Sequence, residues 1–316
     1  MSVAGNSDGK VPSGLFRPIL ITVLLTLAIS LFVILRLTSP RRIKRPATKA
    51  LAHWDYAVSL VHHGTLQMGR ESPGMGRMSP PKAPAGFRAL RDDSLHEVEL
   101  TTDFYFGRFE VSQRDWKAVM GERPDPLRVK CIDCPVEEAS WLDAVALANA
   151  ASQKNGLQLC YDMTQVTTVR RVPECHGYRL PTEAEWEFVA QREIRESDLN
   201  NKEWVAENAV VASNSGGSTR PRVRGALLDG IFDLAGNVNE WVWDAYGAYS
   251  TAKATDPMGT AQSGRRVIRG CGYETQDVTT CAPTFRRAAP PETKSQYVGF
   301  RLLCTASPQS CGGGRS

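Results

Sequence analysis

The sequence predicts an α+β fold, with one globular domain behind a single N-terminal membrane helix. Three observations predict it. An uninterrupted apolar run stands near the N-terminus, capped helices occupy the earlier part of the body, and short strands separated by long loops follow. Helices and strands that are segregated along a chain are typical of α+β domains.

The apolar run Pro18–Leu35 contains no charged residue and is bounded by Arg17 and Arg36. A run of this length can span a bilayer as a helix, because a helix satisfies every backbone hydrogen bond internally. The alternative is a cleaved signal peptide, but the run is long for one and no A-x-A-like site follows it. We therefore predict a polar tail over residues 1–17 and an uncleaved transmembrane anchor over residues 18–37.

The net charge of +4 comes from a basic segment that follows this anchor. Six lysines and arginines and no acid lie between residues 36 and 49, so the rest of the chain carries a charge of about −2. The body therefore lacks the basic character of a nucleic-acid-binding protein, and the segment is typical of a membrane flank. We assign residues 38–55 to a basic linker and predict a membrane partner and no nucleic acid.

Eight cysteines follow the anchor, and an even number in an exported chain predicts disulfide bonds without fixing their pairing. The excess of Lys and Arg after the apolar run opposes export, because positive flanks favour the cytoplasm. The two signals conflict. We give the cysteines slightly more weight and predict a single-pass membrane protein with its domain on the extracytoplasmic side, an orientation that the charges contest. The cysteines are Cys131, Cys134, Cys160, Cys175, Cys271, Cys281, Cys304 and Cys311.

The body begins with strands and a short helix. The alternating stretch "YAVSLVHHGTLQMG", residues 56–69, predicts one strand, and residues 96–112 predict two short strands around a turn. A short helix is predicted over residues 112–121. Ser112 is its N-cap, and Asp115 stands three residues later as in a capping box.

Two longer helices follow with the same start signal. "SWLDAVALANAASQKNG" is capped by Ser140 with Asp143 at the third helical position, and "LPTEAEWEFVAQ" is capped by Thr182 with Glu185 at the third. Each carries apolar residues on one side, which predicts packing on a core. Beyond them we predict loops and short strands at "GIFDLAG", "NEWVWDAY", "RRVIRGCGY" and "VGFRLLC".

Seven phrases occur in an order and spacing that chance does not produce. They are "GTLQMG", "FEVSQRDWKAVMG", "CPVEEASWLDAVALANAAS", "GYRLPTEAEWEF", "DLAGNVNEWVWD", "RVIRGCGY" and "VGFRLL". Over residues 56–304 the chain resembles the sulfatase-modifying-factor family, the formylglycine-generating enzymes and their relatives. The resemblance implies a variant of the C-type-lectin fold, with long loops and two helices packed on a small twisted sheet. We assign residues 305–316 to a flexible tail.

The resemblance also bears on catalysis. Formylglycine-generating enzymes oxidise a cysteine of a client sulfatase to an aldehyde, using two cysteines that bind copper(I), for which thiolates are the natural soft ligands. Aligned from Arg269-Gly270, the two family cysteines fall on Thr275 and Thr280, and a serine of the glycine motif falls on Gly272. Threonine does not replace a thiolate. The usual copper pair is therefore missing from this chain.

Cys271 and Cys281 lie in this same loop and admit three interpretations. A gap in the alignment brings Cys281 into register, which makes the two cysteines a relocated metal or redox site and the candidate catalytic residues. A structural disulfide, with each other or with Cys304, is the second interpretation. A free buried thiol is the third, since it is a common fate of cysteine. We favour the disulfide.

Two other cysteine pairs have a structural interpretation. Cys131 and Cys134 form a C-x-x-C, which predicts a local disulfide and not zinc, because no second C-x-x-C completes four ligands. Cys160 and Cys175 bracket a stretch with the pattern of a hairpin. A disulfide across its base limits the freedom of that loop in the unfolded chain.

Two clusters of polar residues are also interpreted as structural. His62–His63 falls on the predicted strand and points to both of its faces, which predicts one surface histidine and one satisfied core histidine. Glu183, Glu185 and Glu187 lie near a helix start, where the macrodipole favours negative charge. We expect Arg179 to pair with one of these three glutamates.

The motif "DLAGNVNEW" is the best candidate for ion binding. The resemblance implies a calcium site formed by the side chains of Asp233 and Glu240 and the carbonyls of Gly236 and Val238. A turn with carboxylates and carbonyls suits calcium, which takes six to eight oxygen ligands. The alternative is a turn in which polar side chains, Asn237 among them, only satisfy backbone amides.

Three classes of function follow from these observations. The first is a membrane-anchored, non-catalytic module that binds a ligand, protein or peptide, with calcium as a structural cofactor. The second is a copper-dependent oxidase that converts a client cysteine to formylglycine, or acts on another thiol, through Cys281 and Cys271. The third is a purely structural component of an envelope complex. We favour the first, because the framework motifs are present while the copper pair is missing.

Overall fold

The computed structural model describes residues 54–70, 88–89, 93–122, 131–165, 168–221, 230–259, 264–307 and 310–311. The predicted membrane helix over residues 18–37 lies outside these ranges. Within them, no helix is both long and apolar enough to cross a membrane.

Runs of short strands and runs of helices follow one another in blocks along the body, which confirms the predicted α+β class. The strands are β1 (Val58–Val61), β2 (Gly64–Met68), β3 (Arg88–Ala89), β4 (His96–Leu100), β5 (Phe104–Gly107), β6 (Tyr161–Asp162), β7 (Arg170–Arg171), β8 (Tyr178–Arg179), β9 (Asn239–Ala245), β10 (Ala254–Thr255), β11 (Arg266–Arg269), β12 (Arg287–Ala289), β13 (Val298–Phe300) and β14 (Leu303–Cys304). The helices are α1 (Gln113–Met120), α2 (Trp141–Lys154), α3 (Glu183–Glu193), α4 (Glu196–Leu199) and α5 (Lys202–Asn208), with a 3₁₀ helix at Val278–Cys281.

The strands form small sheets, of which the largest has the order β13-β9-β11-β12-β3. Its central strand β9 runs antiparallel to β11 and parallel to β13. A second sheet has the order β1-β5-β14-β8, a third has the order β10-β4-β2, and β6 pairs with β7 as the predicted hairpin. Because β9 is buried along almost its whole length, the functional motifs around it lie at the centre of the domain.

Alternate residues of β9 enter two apolar clusters. Val242 packs in a cluster with Phe188 and Val189 of α3, whereas Trp241 packs in a second cluster with Leu147 of α2. Successive side chains of a strand point to opposite faces, so one strand serves both clusters. The two longest helices therefore pack on opposite sides of the same central strand.

The three predicted helix starts are confirmed. Ser112, Ser140 and Thr182 each accept a hydrogen bond from the backbone N–H of the third helical residue, whose acidic side chain binds the backbone of the cap in return. Such caps satisfy backbone donors that the helix itself leaves unpaired. The prediction of loops after α3 was incomplete, since α4 and α5 occupy part of that region.

The prediction of one strand over residues 56–69 was wrong. The chain breaks at His62 and His63, so β1 pairs with β5 while β2 pairs with β4 in another sheet. Ring nitrogens of both histidines lie 2.9 and 2.6 Å from the carboxylate of Asp103, with side chains 72% and 59% exposed. Neither is a core histidine, because this shared surface carboxylate holds both of them at the bend.

The predicted strand at "GIFDLAG" was also wrong. Asp233 and Asn237 have φ of 60° and 64°, and Gly236 between them has φ of 129°. Repeated positive φ is incompatible with an extended strand. The stretch "VGFRLLC" forms β13 and β14, which belong to two different sheets.

The ordered body extends beyond both predicted boundaries. Trp54, assigned to the linker, is 4% exposed and stacks on Tyr56 with ring centroids 5.0 Å apart. Cys311, assigned to the flexible tail, is fully buried and bonded to Cys304. Each end is therefore held by a contact with a residue inside the domain.

Candidate functional site

Three glutamates of α3 are bound by three arginines. Glu185 forms a bidentate pair with Arg179, with both N–O distances 2.7 Å, as the sequence predicted. Glu183 binds Arg286 at 2.6 and 2.7 Å, and Arg269 links Glu183 to Glu187 at 3.1 and 2.5 Å. Glutamates two positions apart on a helix point in different directions, which explains why three arginines from three other segments are needed.

These ion pairs are buried, and their charges oppose the cost of burial. Burial raises the pKa of Glu183, but Arg286 and Arg269 outweigh it and leave that pKa below its ordinary value. The same balance with Arg179 lowers the pKa of Glu185. A buried charge is tolerated only where such partners are present. The "RLPTEAEWEF" motif is therefore a structural centre that joins α3 to β8 and β11.

A second buried ion pair involves a residue predicted to bind calcium. Glu240 accepts from Nε and from a terminal nitrogen of Arg301 at 2.7 and 2.5 Å, and it also accepts from Nε1 of Trp186 at 2.8 Å. Arg301 donates as well to the carbonyls of Gly107 and Phe232, each at 3.0 Å. The guanidinium thus provides the positive charge beside this carboxylate.

The other predicted calcium donors lie in the turn before β9. Asp233 is 4% exposed and Val238 is buried, while a Cβ on Gly236 would collide with the backbone of Val210. Within the ranges that the structure describes, no group of three or more His, Cys, Asp and Glu side chains is placed to hold a metal ion. Glu240 does not fit the role of a calcium ligand while Arg301 binds both its oxygens. Calcium at this motif stays a prediction.

The two candidate catalytic cysteines are bonded to each other. Cys271 follows β11, Cys281 ends the 3₁₀ helix, and both are fully buried. In a disulfide neither sulfur is a thiolate, and copper(I) requires thiolates as soft ligands. The structure therefore brings the predicted pair together as a covalent link, which is the alternative that the sequence analysis favoured.

The other cysteines also pair as local links. Cys131 is bonded to Cys134 and Cys160 to Cys175, both as predicted. The residues that the structure describes include no free cysteine.

The threonines at the register of the family's cysteines hold the local backbone. Oγ1 of Thr275 accepts from the N–H of Gly272 at 3.2 Å, and Oγ1 of Thr280 donates to the carbonyl of Asp277 at 2.8 Å. Both side chains are less than a tenth exposed. They serve the turn and the 3₁₀ helix.

Glu274 occupies the space beside this turn. Its carboxylate accepts from Nδ2 of Asn239 at 3.2 Å, and a Cβ on Gly272 would collide with its other oxygen. Glycine at the position of the family's serine therefore makes room for Glu274. Burial raises the pKa of this carboxyl. Sequence reasoning did not single out Glu274, since nothing nearby in the sequence indicates its contact with Asn239.

The two candidate sites are neighbours. The N–H of Tyr273 donates to the carbonyl of Asn237 at 2.9 Å, and the rings of Tyr273 and Tyr297 lie 5.4 Å apart. The turn before β9 and the loop after β11 thus pack against each other through buried residues, and this loop holds a disulfide and two threonines where the family keeps its thiolate pair.

Fold and site together define an α+β domain in which buried arginine–carboxylate pairs position long loops. The sequence model of the sulfatase-modifying factor enzyme 1-like domain matches residues 49–306. The chain belongs to this family, which confirms the resemblance seen in its motifs.

Individual relatives carry different functions. A chaperone protein, LppX, of Paenibacillus barcinonensis is 31% identical over 203 residues, which are 54% of this chain and 72% of that protein. The formylglycine-generating enzyme of Streptomyces coelicolor is 28% identical over 193 residues, which are 53% of this chain and 51% of the enzyme. The chain thus spans about half the length of that enzyme.

Solved structures agree with the fold. A variable protein of Treponema denticola superposes with a TM-score of 0.65 at 26% identity, over 79% of this chain and 95% of that one. PvdO from Pseudomonas aeruginosa superposes with a TM-score of 0.57 at 20% identity, over 79% of this chain and 98% of that one. At 20% identity, the likeness to PvdO concerns the fold alone.

Proposed function

We propose that this domain is a non-catalytic binding module that holds a protein or peptide partner at the membrane surface. One observation carries the proposal. The loop in which related enzymes keep a copper-binding cysteine pair has Thr275 and Thr280 at that register, and its own cysteines are joined as Cys271–Cys281. A site without a thiolate lacks the ligands for copper(I) oxidation, while the framework that presents its loops is retained. We propose that this framework is a variant of the C-type-lectin fold.

One of the named relatives supports a binding role. LppX, which matches over 72% of its own length, is named a chaperone, a protein that acts by contact with other proteins. One fold commonly hosts both enzymes and binding proteins. The half-buried Tyr297 and Glu274 are both held by Asn239, and they offer an aromatic and an acidic group to such a partner.

We also propose that residues 18–37 anchor the domain on the extracytoplasmic side. Four disulfides in the described part of the body support an oxidising compartment. If the anchor is present, the full chain sediments with membranes and stays there after a high-salt wash. Recovery in the soluble fraction would contradict it.

The test of the non-catalytic role compares two proteins. The full chain and the Streptomyces coelicolor formylglycine-generating enzyme are each incubated with copper(I) and a cysteine peptide that the enzyme converts. We expect mass loss and aldehyde formation only with the enzyme. Aldehyde formation by the full chain would refute the proposal.

The binding role needs a separate test. A photo-crosslinking amino acid at the exposed Gln276, beside the proposed surface, should trap one defined partner in intact membranes. The control position is the exposed Glu207 on α5, where the same amino acid should trap no partner. Equal crosslinking at both positions would contradict a specific surface.

The alternative is the copper-dependent oxidase, and identity with the formylglycine-generating enzymes favours it. It requires Cys271 and Cys281 to open to thiolates in the active protein. It predicts tight copper(I) binding that Cys281→Ser abolishes, together with aldehyde formation in the comparison above.

Calcium is proposed only as a structural ion. It should raise the thermal unfolding temperature of the unmodified chain, and Asp233→Asn should remove this increase.

A further inference from the structure

A cavity of about 240 Å³ lies where α3 begins and β9 ends. Glu183, Asp244 and Arg286 form its polar side, and Met68, Met258 and several alanines form most of its apolar side. A concave, mainly apolar cleft with a few polar groups is the usual form of a small-molecule site. This cavity is separate from the loop after β11 that carries the proposed function.

One carboxylate in the polar wall of the cavity has no cation in direct contact. Glu183 and Glu187 are matched by the two arginines Arg269 and Arg286. Asp244 is only 3% exposed, and the ion pairs of Arg269 and Arg286 go to Glu183 and Glu187 and not to its carboxylate. Its Oδ2 accepts from the backbone N–H of Glu183 at 2.7 Å. A buried carboxylate without a cation is costly, so the wall favours a ligand that brings one.

The surroundings of Asp244 agree with this charge count. Burial raises the pKa of its carboxyl to about 8, Glu183 and Glu185 raise it further, and Arg286 opposes them. His96 and Tyr249 also face the cavity. Three more arginines interact with Asp244 without an ion pair: Asp244 is the main charge acting on Arg266, whereas it is a minor one for Arg171 and Arg179.

We propose that this cavity binds a small organic cation, a primary amine with a compact apolar body, whose ammonium group pairs with Asp244. The ammonium supplies a cation in direct contact and donates hydrogen bonds to the carboxylate. The apolar body packs against Met68 and Met258. An anion is disfavoured, because Arg286 already binds both oxygens of Glu183 and two carboxylates would repel it.

The test uses the full chain and two probes of the same shape. Cyclohexylmethylamine carries the cation, and cyclohexylmethanol is its neutral counterpart. We expect calorimetry to show the amine binding at least about tenfold more tightly than the alcohol at pH 8, as for a charge-assisted pair. Because ammonium binding requires Asp244 to release its proton, amine affinity should rise about tenfold from pH 6 to pH 7 and level off above pH 8. The alcohol should show no such slope.

Variants locate the binding. Asp244→Asn can still accept from the N–H of Glu183, and it should remove both the preference for the amine and the pH slope. Ala248→Leu narrows the cavity from an exposed position of its wall and should weaken both probes. Glu207→Gln removes an exposed carboxylate on α5 and should change nothing.

Several results would overturn the proposal. They are an amine that does not bind or binds no better than the alcohol, an affinity that does not rise with pH, or amine binding that survives both Asp244→Asn and Ala248→Leu. The two probes and the pH series on the unmodified chain decide the matter even if a variant fails to fold. None of these outcomes depends on the cysteine loop, so the proposed function is tested separately.

Discussion

Arg301 illustrates how a single buried residue can hold several segments together. Its guanidinium binds Glu240 on β9 and the carbonyls of Gly107 and Phe232, and it is completely buried. From its motif alone Glu240 was predicted to bind calcium, because the resembled family has a calcium site there. The arginine that binds it lies 61 residues further along the chain.

Arg301→Met should strongly destabilise the protein. The substitution leaves Glu240 buried without its cation, and breaking a buried pair from one side costs about 3–5 kcal/mol. The matched control is Arg114→Met, which removes an exposed partner of Asp133 and should change the stability far less, because solvent screens an exposed ion pair. Denaturant unfolding measures both losses. Similar small losses for the two variants would show that the buried pair contributes little.

Asp244 should make stability fall as the pH rises. The folded protein keeps its proton to about pH 8, whereas an unfolded aspartate releases it near pH 4. Between these values the folded state binds more protons, so the free energy of unfolding decreases with pH, by up to about 1.4 kcal/mol per unit. This contribution to stability is fully present below the pKa of the unfolded state, about 4. It is lost as the pH rises to the pKa of the folded state, about 8.

The comparison with Asp244→Asn isolates this effect. From pH 5 to pH 8, the unfolding free energy of the unmodified chain should fall relative to that of Asp244→Asn. The control Glu207→Gln changes an exposed carboxylate and should leave a constant difference. A difference that also stays constant for Asp244→Asn would show that this carboxyl titrates normally.

At the scale of elements, α3 depends on a local start signal and on distant partners. Thr182 and Glu185 form its capping box, and Glu185 also binds Arg179. The cap could be predicted from the sequence because its two residues are three positions apart. Arg179 was an expected partner because it lies nearby in the chain, whereas Arg269 and Arg286 come from remote segments.

Thr182→Ala should lower the free energy of unfolding by about 1 kcal/mol, since it removes the cap acceptor and leaves a buried N–H unsatisfied. Thr182→Ser keeps a hydroxyl in the same place and is the matched control. Thermal and denaturant unfolding of the two variants provide the measurement. If Ser and Ala destabilise α3 equally, the hydroxyl is not the relevant group.

The disulfide Cys271–Cys281 should be mainly structural. Replacing both cysteines by serine should cost about 2–4 kcal/mol, because the link restricts the unfolded chain. The control is the double variant Cys131→Ser, Cys134→Ser. Its disulfide closes a loop of sequence separation 3, compared with 10 for Cys271–Cys281, and opening a shorter loop should cost less stability. Urea unfolding of both double variants measures the losses. An equal or larger loss for the Cys131–Cys134 pair would contradict this account.

At the scale of the whole molecule, the disulfides bear on the compartment in which the domain folds. Native full-length protein from its host, denatured without reductant, should show no reaction of its eight cysteines with a maleimide. Reducing compartments keep thiols free, so complete labelling would contradict the proposed extracytoplasmic side. Labelling after reduction is the control that all eight sites can react.

Much of the fold could be predicted from the sequence, but the arrangement of the site could not. The capped helices and the hairpin between Cys160 and Cys175 were predicted because their signals lie within a few residues. The strand over residues 56–69 was mispredicted because its alternation does not reveal the bend at His62–His63, which depends on Asp103 about 40 residues away.

The sequence by itself determined the family, the α+β class, the three helix caps and the absence of a cysteine pair at the family's register. Each of these depends on residue types at short, fixed spacings. Only the tertiary structure decided that Cys271 pairs with Cys281, that Arg301 binds Glu240, and that Asp244 faces a cavity without a cation in direct contact. These outcomes depend on contacts between distant segments, such as Glu183 and Arg286, which are 103 positions apart. Such contacts form because burial forces each charge to find a partner, and local sequence does not specify which partner that is.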